Sequence, residues 1–189
     1  MFRALTDTEA ESAYDIYLSA FAWLRARQIR QWLVPTQRDT YFGYVTNREV
    51  FGLFDSAVLL AVGRLCYEQN LHWKDITGEQ NHWWLSSLVV RRNSTYPEKG
   101  RSFVFAALSY LKGRSCDGLY LDCVNNNEFL PAYYQSCGFE RLSQKAITYK
   151  SGNTFPMVLM RAPVPNPALQ PTAASVACGS LGASRLGGG

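Results

Sequence analysis

The chain has 189 residues, a net charge of +4, 47% hydrophobic and 18% charged residues. That is enough chain for one domain with a well-buried core, and the composition is that of a soluble globular protein. No Lys/Arg run marks a nucleic-acid patch, no apolar run is long enough for a membrane span, and five cysteines without a CxxC beside two histidines make a metal site unexpected.

From the N-terminus, Asp7, Glu9, Glu11 and Asp15 interrupt any signal-peptide core, and the cysteines read as reduced thiols of a cytoplasmic protein. Thr8 with Glu11 fits a capping box. Tyr14, Tyr17, Leu18 and Phe21 follow at helical spacing as one apolar stripe. A second helix is expected over about 24 to 33, with Ile29, Trp32 and Leu33 on one face and Pro35 stopping it. "EVFGLF" and "AVLLAVGRLCYE" flank Asp55-Ser56 as a hairpin. Residues 68 to 81 are polar and read as a loop, and "WWLSSLVV" (83–90) reads as a strand.

"RRNSTYPEKGRS" is a loop running into a helix whose stripe is Val104, Leu108 and Leu111, ended by Gly113. "GLYLDCV" (118–124) alternates as a strand, a helix covers about 128 to 136, and Gly138 closes it. "KAITYK" and "FPMVLMRA" form a final strand pair around Ser151-Gly152-Asn153. The order ααβββαβαββ contains one strand–helix–strand crossover, which predicts an α+β fold with a mixed central sheet flanked by helices. Composition shifts at Pro163. Residues 1–162 are expected to fold, and 163–189, rich in Pro, Ala, Gly and Ser, to form a low-complexity disordered tail.

Three pieces carry chemistry. The strand 83–90 ends in Leu88-Val89-Val90. A loop then opens a helix through Lys99, Gly100, Arg101, Ser102, Phe103 and Val104. After the next strand, "VNNNEFLPAYYQSCGF" places Leu130, Tyr134, Gly138 and Phe139 three, seven, eleven and twelve residues beyond Asn127. Singly, each has a plain structural reading: the asparagines as helix caps, Pro131 in a first helical turn, Gly138 as a helix terminator and Tyr134 as core. Jointly, their order and spacing resemble the GNAT family, the GCN5-related N-acetyltransferases. The motifs span about residues 83–140, and element order carries the rest.

The resemblance implies the acyl-CoA N-acyltransferase fold and acetyl transfer from acetyl-CoA to a primary amine of a small molecule or peptide, without a metal. It implies that backbone groups of Leu88, Val89 and Val90 hold the amide arm of acetyl-CoA and polarise the thioester carbonyl. Residues 99–104 would present helix N–H groups to the diphosphate, with Lys99 and Arg101 adding charge. Asn127 would hold the pantetheine arm. Tyr134 would protonate the departing thiolate, its reference pKa of about 10 lying above a thiol's at about 8.5.

The chain departs from the family pattern at Lys99 (Arg or Gln), Ser102 (Gly) and Val104 (a small residue), and Val104 is bulky enough to crowd the phosphates. No carboxylate stands on "WWLSSLVV" to serve as base. His82 has the most suitable reference pKa, and Glu68, Glu79, Asp122 or a water chain are the alternatives. These departures motivate a second reading, a non-catalytic acyl-CoA-binding or regulatory module. Trp23, Trp32, Tyr41, Phe42, Tyr44 and Trp73 read as core and amphipathic covers ahead of an acceptor pocket. Neither nucleic acid nor membrane is an expected partner, and GNAT sheets often pair across subunits, so a homodimer is admissible.

Overall fold

A computed structural model describes residues 1–30, 34–92, 98–126, 128–149 and 151–164. Seven strands form a single sheet: β1 (Phe2–Ala4), β2 (Val50–Asp55), β3 (Val58–Glu68), β4 (His82–Val90), β5 (Gly118–Val124), β6 (Glu140–Thr148) and β7 (Thr154–Pro163). The helices are α1 (Ala10–Ala26), α2 (Arg38–Thr46), α3 (Lys74–Thr77), α4 (Lys99–Leu111) and α5 (Phe129–Ser136). The sheet order is β1-β2-β3-β4-β5-β7-β6. β1 to β4 are mutually antiparallel, as are β5, β7 and β6. Among the described residues the sole parallel contact joins these half-sheets at β4–β5, the crossover that α4 makes, so the expected mixed sheet is present.

The alternation of strand residues divides the core into two layers. Ala61, Leu65, Leu85, Leu119, Leu121, Val158 and Met160 face α4, where Phe103, Val104, Ala107 and Leu111 supply the packing stripe. The opposite face packs on α1 and α2 through Val62, by alternation, and through Leu59 and Val89, which the bulges in the β2–β3 and β3–β4 ladders carry to that side. The same face continues as Cys66, Trp84, Tyr120 and Leu159 beneath the fully buried Trp73 of the β3–β4 connection.

Several element boundaries differ from the sequence expectation. The helical stop falls near Arg27, so 27–30 are a turn, while 31–33 lie outside the described residues. α2 was not foreseen because its Tyr41 and Val45 carry the only buried stripe of a short, polar helix. The hairpin turn sits at Ser56-Ala57, one residue later than expected, with Ser56 in the left-handed region (φ 49°). The polar 68–81 loop contains α3. β6 begins at Glu140, earlier than "KAITYK" suggested, because it is an edge strand whose first three residues, Glu140, Arg141 and Leu142, are all exposed and show no alternation. The packed chain runs past residue 162: the Val164 N–H donates to the Asp117 carbonyl (3.4 Å), and Val164 is buried. The expected tail beyond it, 165–189, lies outside the described residues.

The entry to α1 is fixed by a different pair from Thr8 and Glu11. Glu9 accepts the Thr6 backbone N–H (2.9 Å) and takes a bidentate contact from Arg3 of β1 (2.6 and 2.8 Å). The Arg3 hydrogen bonds hold the Glu9 carboxyl at about 2, below its ordinary value. Lowered in the folded state, it stabilises the fold above the unfolded pKa of about 4.3, and that contribution is lost as pH falls toward 2. Glu9→Gln should therefore cost about 1 kcal/mol at pH 7, given the partial exposure of the pair. In thermal melts the difference from wild type should shrink between pH 5 and pH 2 as the wild-type carboxylate protonates.

Candidate active site

β4 and β5 pair only at Trp83–Leu119 and Trp84–Tyr120. Beyond Trp84 neither strand has its neighbour on that side, so the backbone edge of residues 85–90 faces a gap instead of a ladder. On its other side β4 stays bonded to β3, but with a bulge: Ser86 opposes Arg64, Val89 opposes Val62, and Ser87 and Leu88 together oppose Gly63. Ser87 takes φ 53°, which turns the strand at the point where the gap opens. A non-glycine residue held there marks local strain of the kind that gathers at functional sites.

Two cavities fill the gap beneath the C-terminal half of α1. The first, about 520 Å³, runs from Trp23 and Leu24 over Leu88–Val90 to the start of α4 at Lys99 and Gly100. The second, about 490 Å³, is bounded by Tyr17 and Phe21 of α1, Ser86 and Ser87 of β4, and Asp122 of β5. Leu88, Val124, Leu130 and Tyr134 line both cavities and form their common wall.

Tyr134 is set by its own helix. Pro131 is buried in the first turn of α5, where its missing N–H costs nothing. Gly138 ends the helix at φ 93°, a conformation a side chain resists, and the Phe139 N–H returns to the Tyr134 carbonyl (3.1 Å). Phe139 then buries its ring edge-on to Tyr134, with centroids 5.7 Å apart. The Tyr134–Gly138–Phe139 spacing is thus the terminator and anchor that aim one phenol. Burial raises that phenol above its ordinary value, so Tyr134 is neutral over the whole working range.

Asp122 stands on the α1 side of β5. The Trp73 indole N–H donates to its Oδ2 (2.8 Å). Burial pushes the carboxyl up, with the Trp73 hydrogen bond opposing. Beside it Tyr149 is pushed up to about 12 by burial and then by the Asp122 charge. Cys123, also on the second cavity, is raised to about 12 by burial, so it is a thiol and no nucleophile at neutral pH.

The expected phosphate-binding segment behaves differently from its charge pattern. Lys99 is buried and donates to the Arg91 carbonyl, and Arg101 is committed to α5, donating to the Ser136 carbonyl (2.8 Å) and hydroxyl (3.0 Å). Phe103 and Val104 point into the core, so Val104 crowds nothing at the helix start. What remains at the α4 N-terminus is backbone: its first N–H groups lack intrahelical acceptors. Glycine at 100 keeps that surface open, since a Cβ would meet the Tyr133 hydroxyl at 2.5 Å.

His82 is not brought to the site. It lies at the paired end of β4, buried, with Nε2 donating to the Thr77 carbonyl (3.0 Å) and Nδ1 3.4 Å from Asp117, and it lines neither cavity. Glu68 and Glu79 pair with Arg64 and Lys74. Asn127 lies outside the described residues, while its neighbour Asn126 donates to the Arg30 carbonyl (3.2 Å) and lines the first cavity. Of the aromatic set, Tyr41 and Trp73 are core, Phe42 and Tyr44 are covered by Arg38 and Arg64, Trp32 lies outside the described residues, and Trp23 alone borders a cavity. The places of Trp23 and Tyr133 at the first cavity were missed. Asp122 had a readable signal: in "LYLDCV" it shares the parity of Tyr120 and Val124, the face turned toward α1.

Among the described residues no cluster of His, Cys, Asp and Glu could hold a metal, and no helix is long and apolar enough to cross a membrane.

No protein-family model and no curated protein sequence matches the chain. Solved structures do match. A GNAT-family acetyltransferase from Listeria monocytogenes superposes with a TM-score of 0.70 at 18% identity, covering 86% of this chain and 94% of its own. The ribosomal-protein-S18-alanine N-acetyltransferase of Escherichia coli gives 0.61 at 18% identity, covering 87% and 93%. YncA of Salmonella typhimurium, solved with its cofactor acetyl-CoA, gives 0.65 at 13% identity, covering 94% and 98%. Superposition over most of both chains at so little identity is a likeness of fold: the chain has the fold of the GNAT acetyltransferases.

Proposed function

We propose that the chain is a GNAT-family N-acetyltransferase that moves the acetyl group of acetyl-CoA to a primary amine by direct attack in a ternary complex. The observation that carries this reading is the pair of cavities meeting at Leu88 and Tyr134 where β4 and β5 part. One cavity ends on a helix N-terminus and an unpaired strand edge, which suits a diphosphate and an amide arm. The other holds a carboxylate, which suits an ammonium ion.

Each residue's task follows from its surroundings. The Leu88–Val90 backbone and the N–H groups of the 99–101 turn bind the donor, with Lys99 and Arg101 shaping that turn from behind; the Ser102 N–H is already taken by the Glu98 carbonyl (2.9 Å). Asp122 takes the proton of the bound ammonium, so that the neutral nitrogen attacks the thioester carbonyl carbon. Backbone N–H groups at the bulge stabilise the oxyanion. The carbon–sulfur bond breaks as the carbon–nitrogen bond completes, the second proton of the attacking nitrogen neutralises the departing thiolate, and the first leaves by way of Asp122, so that one proton is released overall. Because Tyr134 is held above even its ordinary value, complete transfer of its proton to a thiolate is uphill. Its role is to donate a hydrogen bond to the departing sulfur. The neutral Cys123 favours direct transfer over an acyl-cysteine route. With Val104 in the core and Asp122 on the acceptor cavity, two departures that motivate a binding-only module lose their force.

Calorimetry should show saturable acetyl-CoA binding, and its absence would sink the reading. Tyr134→Phe should lower kcat about 100-fold while acetyl-CoA affinity stays within about twofold of wild type, because a hydrogen bond to the leaving sulfur acts in the transition state. Binding without transfer to any amine by the wild type would return the binding module.

Asp122→Asn should lower kcat/KM about 100-fold and leave the fold as stable or more so. A carboxyl raised in the folded state binds more protons than in the unfolded chain, so its ionisation costs stability as pH rises above about 4. Asparagine removes that cost and can still accept from Trp73. The wild-type rate should climb with pH through a pKa above the usual carboxylate range, and the variant should lack that limb. His82→Gln serves as the contrast: a lower melting temperature with kcat nearly unchanged.

A further inference from the structure

The second cavity has a composition that constrains what it can accept. Asp122 is the one charged side chain among its described lining residues, and no lysine or arginine joins it there. Its carboxylate is held on one oxygen by Trp73, which leaves the other for a single ammonium ion. Away from Asp122 the walls combine rings and apolar chains from separate elements (Tyr17 and Phe21 from α1, Tyr149 after β6, Phe155 and Met157 from β7) with the neutral polar side chains of Thr36, Ser86, Ser87, Ser151 and Asn153. These are fixed surfaces. The Tyr17 hydroxyl is engaged by the Thr36 N–H (3.1 Å), and Tyr149 meets Phe155 with ring centroids 6.0 Å apart.

We infer that the acceptor is a compact monoamine with an aromatic or branched aliphatic body and no carboxylate, seated with its ammonium on Asp122 and its body between α1 and the β6–β7 hairpin. This rests on the acetyltransferase reading above and narrows its substrate class. A polyamine or aminoglycoside would bring several cationic groups to a cavity with one anion, and each extra charge would lose its water without a partner. An amino acid would bring a carboxylate to a wall with no described cation and would stand beside Asp122 with like charge. A ring or branched chain gains dispersion contact with the aromatic walls, and a cavity of this size falls in the range of small-molecule sites.

The test compares kcat/KM, by release of CoA thiol from acetyl-CoA, for 2-phenylethylamine, phenylalanine, spermine and a tetrapeptide with a free N-terminal alanine. Phenylethylamine should exceed each of the others by at least about tenfold, the cost of one unpartnered buried polar group. Phe155→Ala should raise KM for phenylethylamine about tenfold with the acetyl-CoA dissociation constant unchanged. Equal or better use of spermine, phenylalanine or the tetrapeptide overturns the inference and leaves the acetyltransferase reading intact. So does an unchanged KM in Phe155→Ala. Failure to bind acetyl-CoA, read separately by calorimetry, overturns both.

Discussion

The site depends on a ladder that stops. Two residue pairs, Trp83–Leu119 and Trp84–Tyr120, join the half-sheets, and beyond them β4 and β5 separate. A sheet that continued pairing would satisfy its backbone and leave no space. Here the cost of unpaired peptide groups is accepted over one short stretch. The rest of the fold is arranged to hold that stretch open: β3 grips β4 from the far side through a bulge, and β7 grips β5 along its full length. Leu88 and Tyr134 then meet in the opening from a strand and a helix that are each fixed independently.

Charge is placed differently from what a residue count suggests. Lys99 and Arg101 stand at the N-terminus of α4, yet both are committed to protein carbonyls, at Arg91 and Ser136. They fix the helix start and the α4–α5 contact, and what they leave for a ligand is oriented N–H groups. At the second cavity no lysine or arginine stands among the described lining residues, and the Asp122 carboxylate is kept in place by an indole hydrogen bond. Such a group destabilises the folded state and is useful for that reason: it prefers a proton or a cation to being alone.

The sequence discloses this fold well where its signals are local. The Tyr134–Gly138–Phe139 spacing follows from the end of α5, its left-handed terminator at Gly138 and the return of Phe139, all of which are chain-local. The crossover and the mixed sheet follow from element order. What the sequence concealed depends on residues far apart. Asp122 and Trp73 are 49 positions from each other, so their hydrogen bond leaves no pattern to read. His82 attracted interest through its reference pKa alone, and its place at the paired end of β4 removes it. The bulk of Val104 at the helix start says nothing of its direction, and helix periodicity with Phe103, Ala107 and Leu111 puts it in the core. α2 and the exposed edge strand β6 were weak because few of their side chains are buried.

Strand order also bears on how the molecule is assembled. β7, not β6, lies against β5, so the chain passes the open flank of β5, runs outward as β6, and comes back between them. During synthesis β5 therefore waits for some thirty further residues before its neighbour exists. The elements β4 and α4, which border the first cavity, are complete long before the hairpin that walls the second. Because β6 and β7 are joined by a short turn, the pair can form as a local hairpin and dock as a unit, which spares the chain a threading step. Until that docking, the apolar edge at Leu121 and Cys123 is exposed, and this is the stage at which a nascent or partly unfolded chain is most open to strand capture by a neighbour.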